Sequence, residues 1–137
     1  MLTYDSATNT LNVEGTAKSI VSRIQQKLVC EGAVHHNIKK INTPIYDICS
    51  EDYTILCDAA DHKVKVNLPA AINNRGRVLI IKKTNTDKYK LTSNVVEIAC
   101  EEGPIDLGES CIIKMNYSTR TLQSDGENWW IIGSKGS

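Results

Sequence analysis

His62-Lys63-Val64-Lys65-Val66-Asn67-Leu68-Pro69 decides the class of this chain. Polar and apolar residues alternate through it without a break. A period of two puts Val64, Val66 and Leu68 on one face of a strand and the lysines on the other. Pro69 cannot donate to a ladder, so the strand stops there. Upstream, Tyr53-Thr54-Ile55-Leu56-Cys57 reads as a short buried strand, closed by the turn-like Asp58-Ala59-Ala60-Asp61. Downstream, Asn73-Asn74-Arg75-Gly76 reads as a turn and residues 77–82 as a central strand. Thr84-Asn85-Thr86-Asp87 follows as a loop. Residues 89–91, 95–100 and 111–115 are further strand candidates, with Glu101-Glu102-Gly103-Pro104 as punctuation. The chain closes on the clearest hairpin. Residues 119–123 and 128–132 flank Ser124-Asp125-Gly126-Glu127, and Asp-Gly between two strand-like runs is a strong hairpin signal. Short strands with turn signals every eight to twelve residues predict an all-β fold, an antiparallel β-sandwich or jelly-roll-like head.

The first 45 residues read differently. Leu2-Thr3-Tyr4-Asp5 and Leu11-Asn12-Val13 are two tiny strands around a polar turn. Residues 17–29 hold the one helix candidate, with Ala17, Val21, Ile24 and Leu28 spaced four, three, four. Such a short helix is marginal alone and wants partners, for example its copies in other subunits. An extended stem without helix is the alternative. Residues 35–44 read as a connector. The expected organisation is a stem or trimerisation segment over 1–45 and a β head over 46–137.

Composition narrows the class of function. The 137 residues carry 16 basic and 16 acidic side chains, which excludes a polybasic tail and charge-driven disorder. Phenylalanine is missing and aromatics make up only 5%, so the core must be Ile, Val and Leu. The longest bulky apolar runs are four residues, far short of the ~20 a membrane helix needs. No membrane insertion is expected. The N-terminus has neither a basic n-region nor an apolar h-region, so no secretory signal is expected. Five cysteines (Cys30, Cys49, Cys57, Cys100, Cys111) with no Cys-x-x-Cys predict reduced, mostly buried thiols, in keeping with synthesis in a reducing cytoplasm.

A search for chemistry finds no catalytic constellation. Gly-rich phosphate loops, His-Glu-x-x-His and Gly-x-Ser-x-Gly are all missing. Adjacent His35 and His36 point to opposite sides of an extended chain. A symmetric trimer could gather three copies of one at its axis, but solvated connector histidines are the plainer reading. Glu51-Asp52 and Glu101-Glu102 read as solvated loop charges. Arg75/Arg77 and Lys82-Lys83 flank one strand without interleaved aromatics, which suits a charged strand edge better than a nucleic-acid groove. No cofactor, metal, nucleic-acid partner or enzymatic activity is expected. Trp129 and Trp130, as strand neighbours, face opposite ways. One supplies core bulk, and the other lies at the surface or in a subunit interface, where an aromatic can stack on a sugar or anchor a protein.

Three stretches together resemble a known grammar. They are 53–59, 64–71 and 76–83, followed by the closing Thr121-Leu122-Gln123-Ser124-Asp125-Gly126-Glu127-Asn128-Trp129-Trp130-Ile131-Ile132. An acidic residue closes the first strand, then come V-x-V-x-L-P, G-x-x-x-x-I-K-K and S-D-G-x-N-W. This resembles the C-terminal receptor-binding head of tail-fibre and fibre-like proteins from bacteriophages and large DNA viruses. The opening residues 2–13 resemble short repeats at the edge of their shafts, while 17–45 match nothing in the pattern. The resemblance implies a homotrimeric head on a fibrous stem, displayed on the virion beside other fibre proteins. It implies attachment to a glycan or protein receptor on the host cell. It brings no catalytic residues. The candidate receptor contacts sit on loops 84–88 and 124–128: Asn85, Asp87, Asp125 and Asn128, with Trp129 at the strand start. A lectin-like carbohydrate-binding module outside a virus is the alternative. A small trimeric β enzyme with a site between subunits is a third reading.

Overall fold

The computed structural model describes residues 2–8, 10–13, 24–87, 89–90 and 92–136. They fall into two compact units, Met1–Val34 and His35–Ser137. The first unit contains an antiparallel hairpin of β1 (Leu2–Asp5) and β2 (Thr10–Val13), with Leu2 opposite Val13. Its turn is held by Asp5, whose Oδ1 accepts the Ala7 and Thr8 amides at 2.9 and 3.4 Å. The two tiny strands of the sequence reading are therefore present. Residues 24–29 of the helix candidate are irregular, and 17–23 lie outside the described residues.

The second unit is all-β. Its strands are β3 (Ile38–Ile41), β4 (Ile45–Asp47), β5 (Thr54–Asp58), β6 (Val64–Leu68), β7 (Val78–Thr84), β8 (Val96–Cys100), β9 (Ser110–Ile113), β10 (Thr119–Ser124) and β11 (Trp129–Lys135). A single 3-10 turn at Ala71–Asn73 interrupts them. Residues 35–44 are thus not a plain connector, because β3 within them pairs into the larger sheet.

Strand direction departs from the expected antiparallel sandwich or jelly roll. The larger sheet runs β11-β10-β7-β5-β3 and the smaller β4-β6-β8-β9. From β3 to β8 the chain alternates between them, so each strand pairs with the one two elements on. All four such pairs are parallel. A parallel pair needs a crossover, ordinarily a helix. Here a strand of the opposite sheet serves as the crossover, and the chain winds as a flat coil. Reversed strands close it. β9 is antiparallel to β8, β10 to β7, and β11 to β10. Alternation in the sequence sets which face a side chain takes, but is silent on the direction of the neighbouring strand. Hence the all-β class was readable and the winding was not.

The core lies between the sheets and is aliphatic, as the missing phenylalanine requires. Ile55, Cys57, Leu79, Ile81 and Leu122 enter from the larger sheet. Val64, Val66, Leu68, Val96, Ile98 and Ile113 meet them from the smaller. Each such side chain is worth ~1.5–3 kcal/mol when fully buried. Trp129 is the one aromatic among them, fully buried. Its Nε1 donates to the Pro69 carbonyl at 2.9 Å, which ties β11 to the end of β6 across the sandwich.

Two basic residues correct the idea of a charged strand edge. β7 is an interior strand, between β5 and β10. Lys83 continues the inward series of Leu79 and Ile81 and is buried. Its Nζ donates to the Lys114 carbonyl at 2.6 Å, and burial pulls its pKa down. Arg77 donates from Nη2 to the carbonyls of Cys49 and Asp52 and from Nη1 to Asn74, closing the loop after β4. Of the five free thiols only Cys57 is fully buried, whereas Cys30 and Cys49 are exposed. Among the described residues no helix is long and apolar enough to cross a membrane.

Candidate functional site

The tip of the β10–β11 hairpin is the most highly organised exposed feature. Gly126 sits at φ 95°, a left-handed turn position that glycine takes without strain. Asp125 converts the turn into a clamp. Its Oδ1 accepts the amides of Glu127 and Asn128, both at 2.8 Å. Its Oδ2 accepts the indole Nε1 of Trp130 at 2.7 Å. The Asn128 amide, then the indole and the Glu127 amide, hold its carboxyl down at about 2. Ser124, buried beneath, accepts the Gly126 amide and donates to the Ala71 carbonyl at 2.8 Å. Turn, carboxylate and ring are therefore fixed relative to the sheet.

Trp130 is half-buried on the outer face, and the exposed Ile132 lies two residues on. A small concavity of about 150 Å³ is lined by Gln123, Ser124, Asp125, Trp130 and Ile132. The chemistry on offer is an oriented aromatic ring beside a carboxylate that stays ionised at every ordinary pH. That pairing suits the apolar face and the hydroxyls of a sugar, or a protein anchor. It offers no nucleophile with a base.

The expected contact residues separate into two groups. Asp125 and Asn128 are at the tip. Trp129 is buried, so it is a core residue and not a receptor contact; Trp130 takes the surface position. Asn85 and Asp87 stand at the far end of β7. Ser124 exchanges backbone bonds with Gly76 and Arg77 before β7 starts, whereas Asn85 follows its last residue. Seven strand residues, ~23 Å, lie between the two groups. Asn85 is itself buried, donating from Nδ2 to the Lys90 carbonyl at 3.1 Å and accepting the Asp87 amide at 3.1 Å. It shapes its loop and is not open to a partner. Asp87 is exposed and accepts the Tyr89 amide.

Other candidates resolve as structure. His36 stacks on Tyr53 with centroids 3.9 Å apart and stays exposed to solvent. Asp52 accepts the Tyr46 hydroxyl and the Cys49 amide, each at 2.7 Å, so it is no free loop charge. Burial first, and then Asp52, raise the Tyr46 pKa. Among the described residues no group of three His, Cys, Asp or Glu could hold a metal ion. Larger concavities, of about 460, 470 and 440 Å³, lie elsewhere, the last beside Gly103 and Leu107. The first is walled by Asp47, Glu101 and Glu102, the second by Lys40, Leu56, Asp58 and Thr86. Sequence reasoning turned one of the two rings outward but chose Trp129 for the contact, because Trp129-Trp130-Ile131-Ile132 has no alternation to say which ring turns inward. No protein-family model matches the chain, and no curated protein matches it.

Proposed function

We propose that this chain is the head of a virion fibre or spike, a homotrimer that attaches to a glycan or protein receptor on the host cell. The observation that carries the reading is the hairpin tip. Asp125 fixes an outward Trp130 on a rigid β scaffold, a binding device without accompanying reactive groups. The strand and turn grammar resembling fibre heads supports the viral setting. A modest aliphatic core supports association, since a small domain gains from burying further surface between copies.

The same Trp130 also favours a second reading, a carbohydrate-binding module outside a virus. Light scattering on the purified chain separates the two. The fibre head has three times the 15.2 kDa chain mass. A monomer that still binds glycans selects the module instead. Saturable binding to host cells, lost in Trp130→Ala with the fold intact, is the expected result. Binding unchanged in that variant places the receptor contact elsewhere and refutes the tip as the site.

A further inference from the structure

A second feature of the larger sheet lies on its outer face. Register sets Lys40 opposite Leu56, Leu56 opposite Lys82, Lys82 opposite Thr119, and Thr119 opposite Lys135. One row therefore crosses all five strands. Alternation fixes its direction. Lys40 precedes the buried Ile41, and Lys82 lies between buried Ile81 and Lys83, so both face outward. A Cβ on Gly133 would stand 3.6 Å from the Thr121 Cβ, so those positions share a face; Lys135 and Thr119, each two residues away, lie on it too. Strands are ~4.8 Å apart, which spaces the lysines by ~10 Å and the row ends by ~19 Å.

None of the three ammonium groups forms an ion pair among the described residues, whereas Lys63 is bound to Glu97 and Lys90 to Asp61. One acid borders the row: Asp58, the next outward position on β5, whose bonds from the Thr86 hydroxyl and the amides of Thr86 and Ala60 keep it ionised. Between the lysines stand an apolar side chain and a hydroxyl, Leu56 and Thr119. The concavity of about 470 Å³ opens beside Lys40 and Leu56 and reaches Asp58, Thr84 and Thr86, so the Lys40 end suits an acidic group and the Asp58 end a neutral sugar hydroxyl.

We infer that this row binds a linear acidic polysaccharide laid across the strands. Lys40, Lys82 and Lys135 each take one carboxylate or sulfate as a point charge, while Leu56 and the threonine hydroxyls meet the sugar rings between. The spacing separates this ligand from nucleic acid. A polynucleotide strand carries a charge every ~3.4 Å and is gripped through stacked bases. This row is sparse in charge and has no aromatic between its cations, which matches a polymer bearing its acid on alternate sugars. The inference rests on the attachment reading for its setting, and purified polymers in place of cells let the two fail separately.

The test is calorimetric titration of the whole chain with hyaluronan, which bears one carboxylate on alternate sugars, and with polygalacturonate, which bears one on every sugar. Affinity falls as salt rises from 50 to 200 mM, because the screening length shrinks below the ~10 Å spacing of the lysines. The triple variant Lys40→Gln, Lys82→Gln, Lys135→Gln loses at least tenfold in affinity. The triple Arg variant retains binding, and Lys65→Gln, on the outer face of the smaller sheet, leaves it unchanged. Thermal unfolding checks that the variants fold. Binding of neither polysaccharide, or equal binding by the triple Gln variant, overturns the inference. Tighter binding of single-stranded DNA or phosphatidylglycerol vesicles at equal charge concentration also overturns it.

Discussion

Replacing Trp129 by alanine removes the largest fully buried side chain in the unit. A buried tryptophan covers up to ~250 Å², of which alanine retains a minor part. The loss of ~150–170 Å² at ~25 cal/mol per Å² is ~4 kcal/mol. The Nε1 bond to Pro69 adds ~1 kcal/mol, because the Cys100 thiol also reaches that carbonyl, at 3.5 Å, and leaves it a weak partner. The total, ~4–5 kcal/mol, agrees with the usual cost of aromatic deletions in cores. It is a large fraction of the ~5–15 kcal/mol that holds a domain of this size. Trp129→Phe keeps most of the ring and loses the bond, so its cost is ~1.5–2.5 kcal/mol. Urea unfolding followed by far-UV circular dichroism measures both, and the Ala midpoint falls by ~2–4 M. Trp130→Ala in the same series, losing half the burial and the Asp125 bond, costs ~1–2 kcal/mol, well below Trp129→Ala. Trp129→Ala costing under 1 kcal/mol, or Trp130→Ala costing more than Trp129→Ala, would refute the assignment of inward and outward rings.

Asp125 contributes stability above its unfolded value near 4, and loses it as pH falls toward about 2. Trp130 emission should therefore change between pH 4 and 2 and be flat in Asp125→Asn; a midpoint near 4 removes the clamp. Lys83 works with the opposite sense, because burial lowers its pKa below 10.5. Its charge costs folding free energy until pH rises through the lowered native value, so stability climbs in the alkaline window below 10.5. Lys83→Met should be ~1–2 kcal/mol more stable at pH 7 and lose that climb, as read by chemical denaturation; destabilisation beyond ~2 kcal/mol makes the Lys114 bond the larger effect. Burial pushes the Cys57 thiol up to about 12. Iodoacetamide at pH 8 with mass spectrometry should label Cys30 and Cys49 in the folded chain, and Cys57 only after unfolding. Equal labelling of all three contradicts a closed core.

The sequence carried strand faces well and long-range pairing poorly. Val64, Val66 and Leu68 point inward as their alternation requires, and the Asp-Gly turn lies at the tip of a real hairpin. Lys83 escaped because a charge at the inward position of Leu79 and Ile81 breaks the pattern that reveals the face. β3 and β4 escaped because four and three residues are too few for a period to emerge. At the tip, Asp125 and Asn128 were legible from turn chemistry. The grouping of loops was not, since the two loops are separated by the length of β7 and only the β7–β10 register reveals it. The lysine row is invisible in one dimension, as its members come from β3, β7 and β11.

The winding has a consequence for the order of assembly. Parallel partners are 16 residues apart at the nearest, Ile38 with Thr54, and 32 apart for Val64 with Val96. Each must close a long loop before any contact rewards it, which slows folding. The tight hairpin of β10 and β11 is the local exception in this unit, and local hairpins form in ~1–10 μs. It is also the last part of this unit to leave the ribosome. The quickest nucleus thus arrives after every strand it must template, so the unit completes its fold only once synthesis has passed Lys135. Nascent chains stalled before Ser124 should remain protease-sensitive, and those with Lys135 clear of the ribosome should become resistant together.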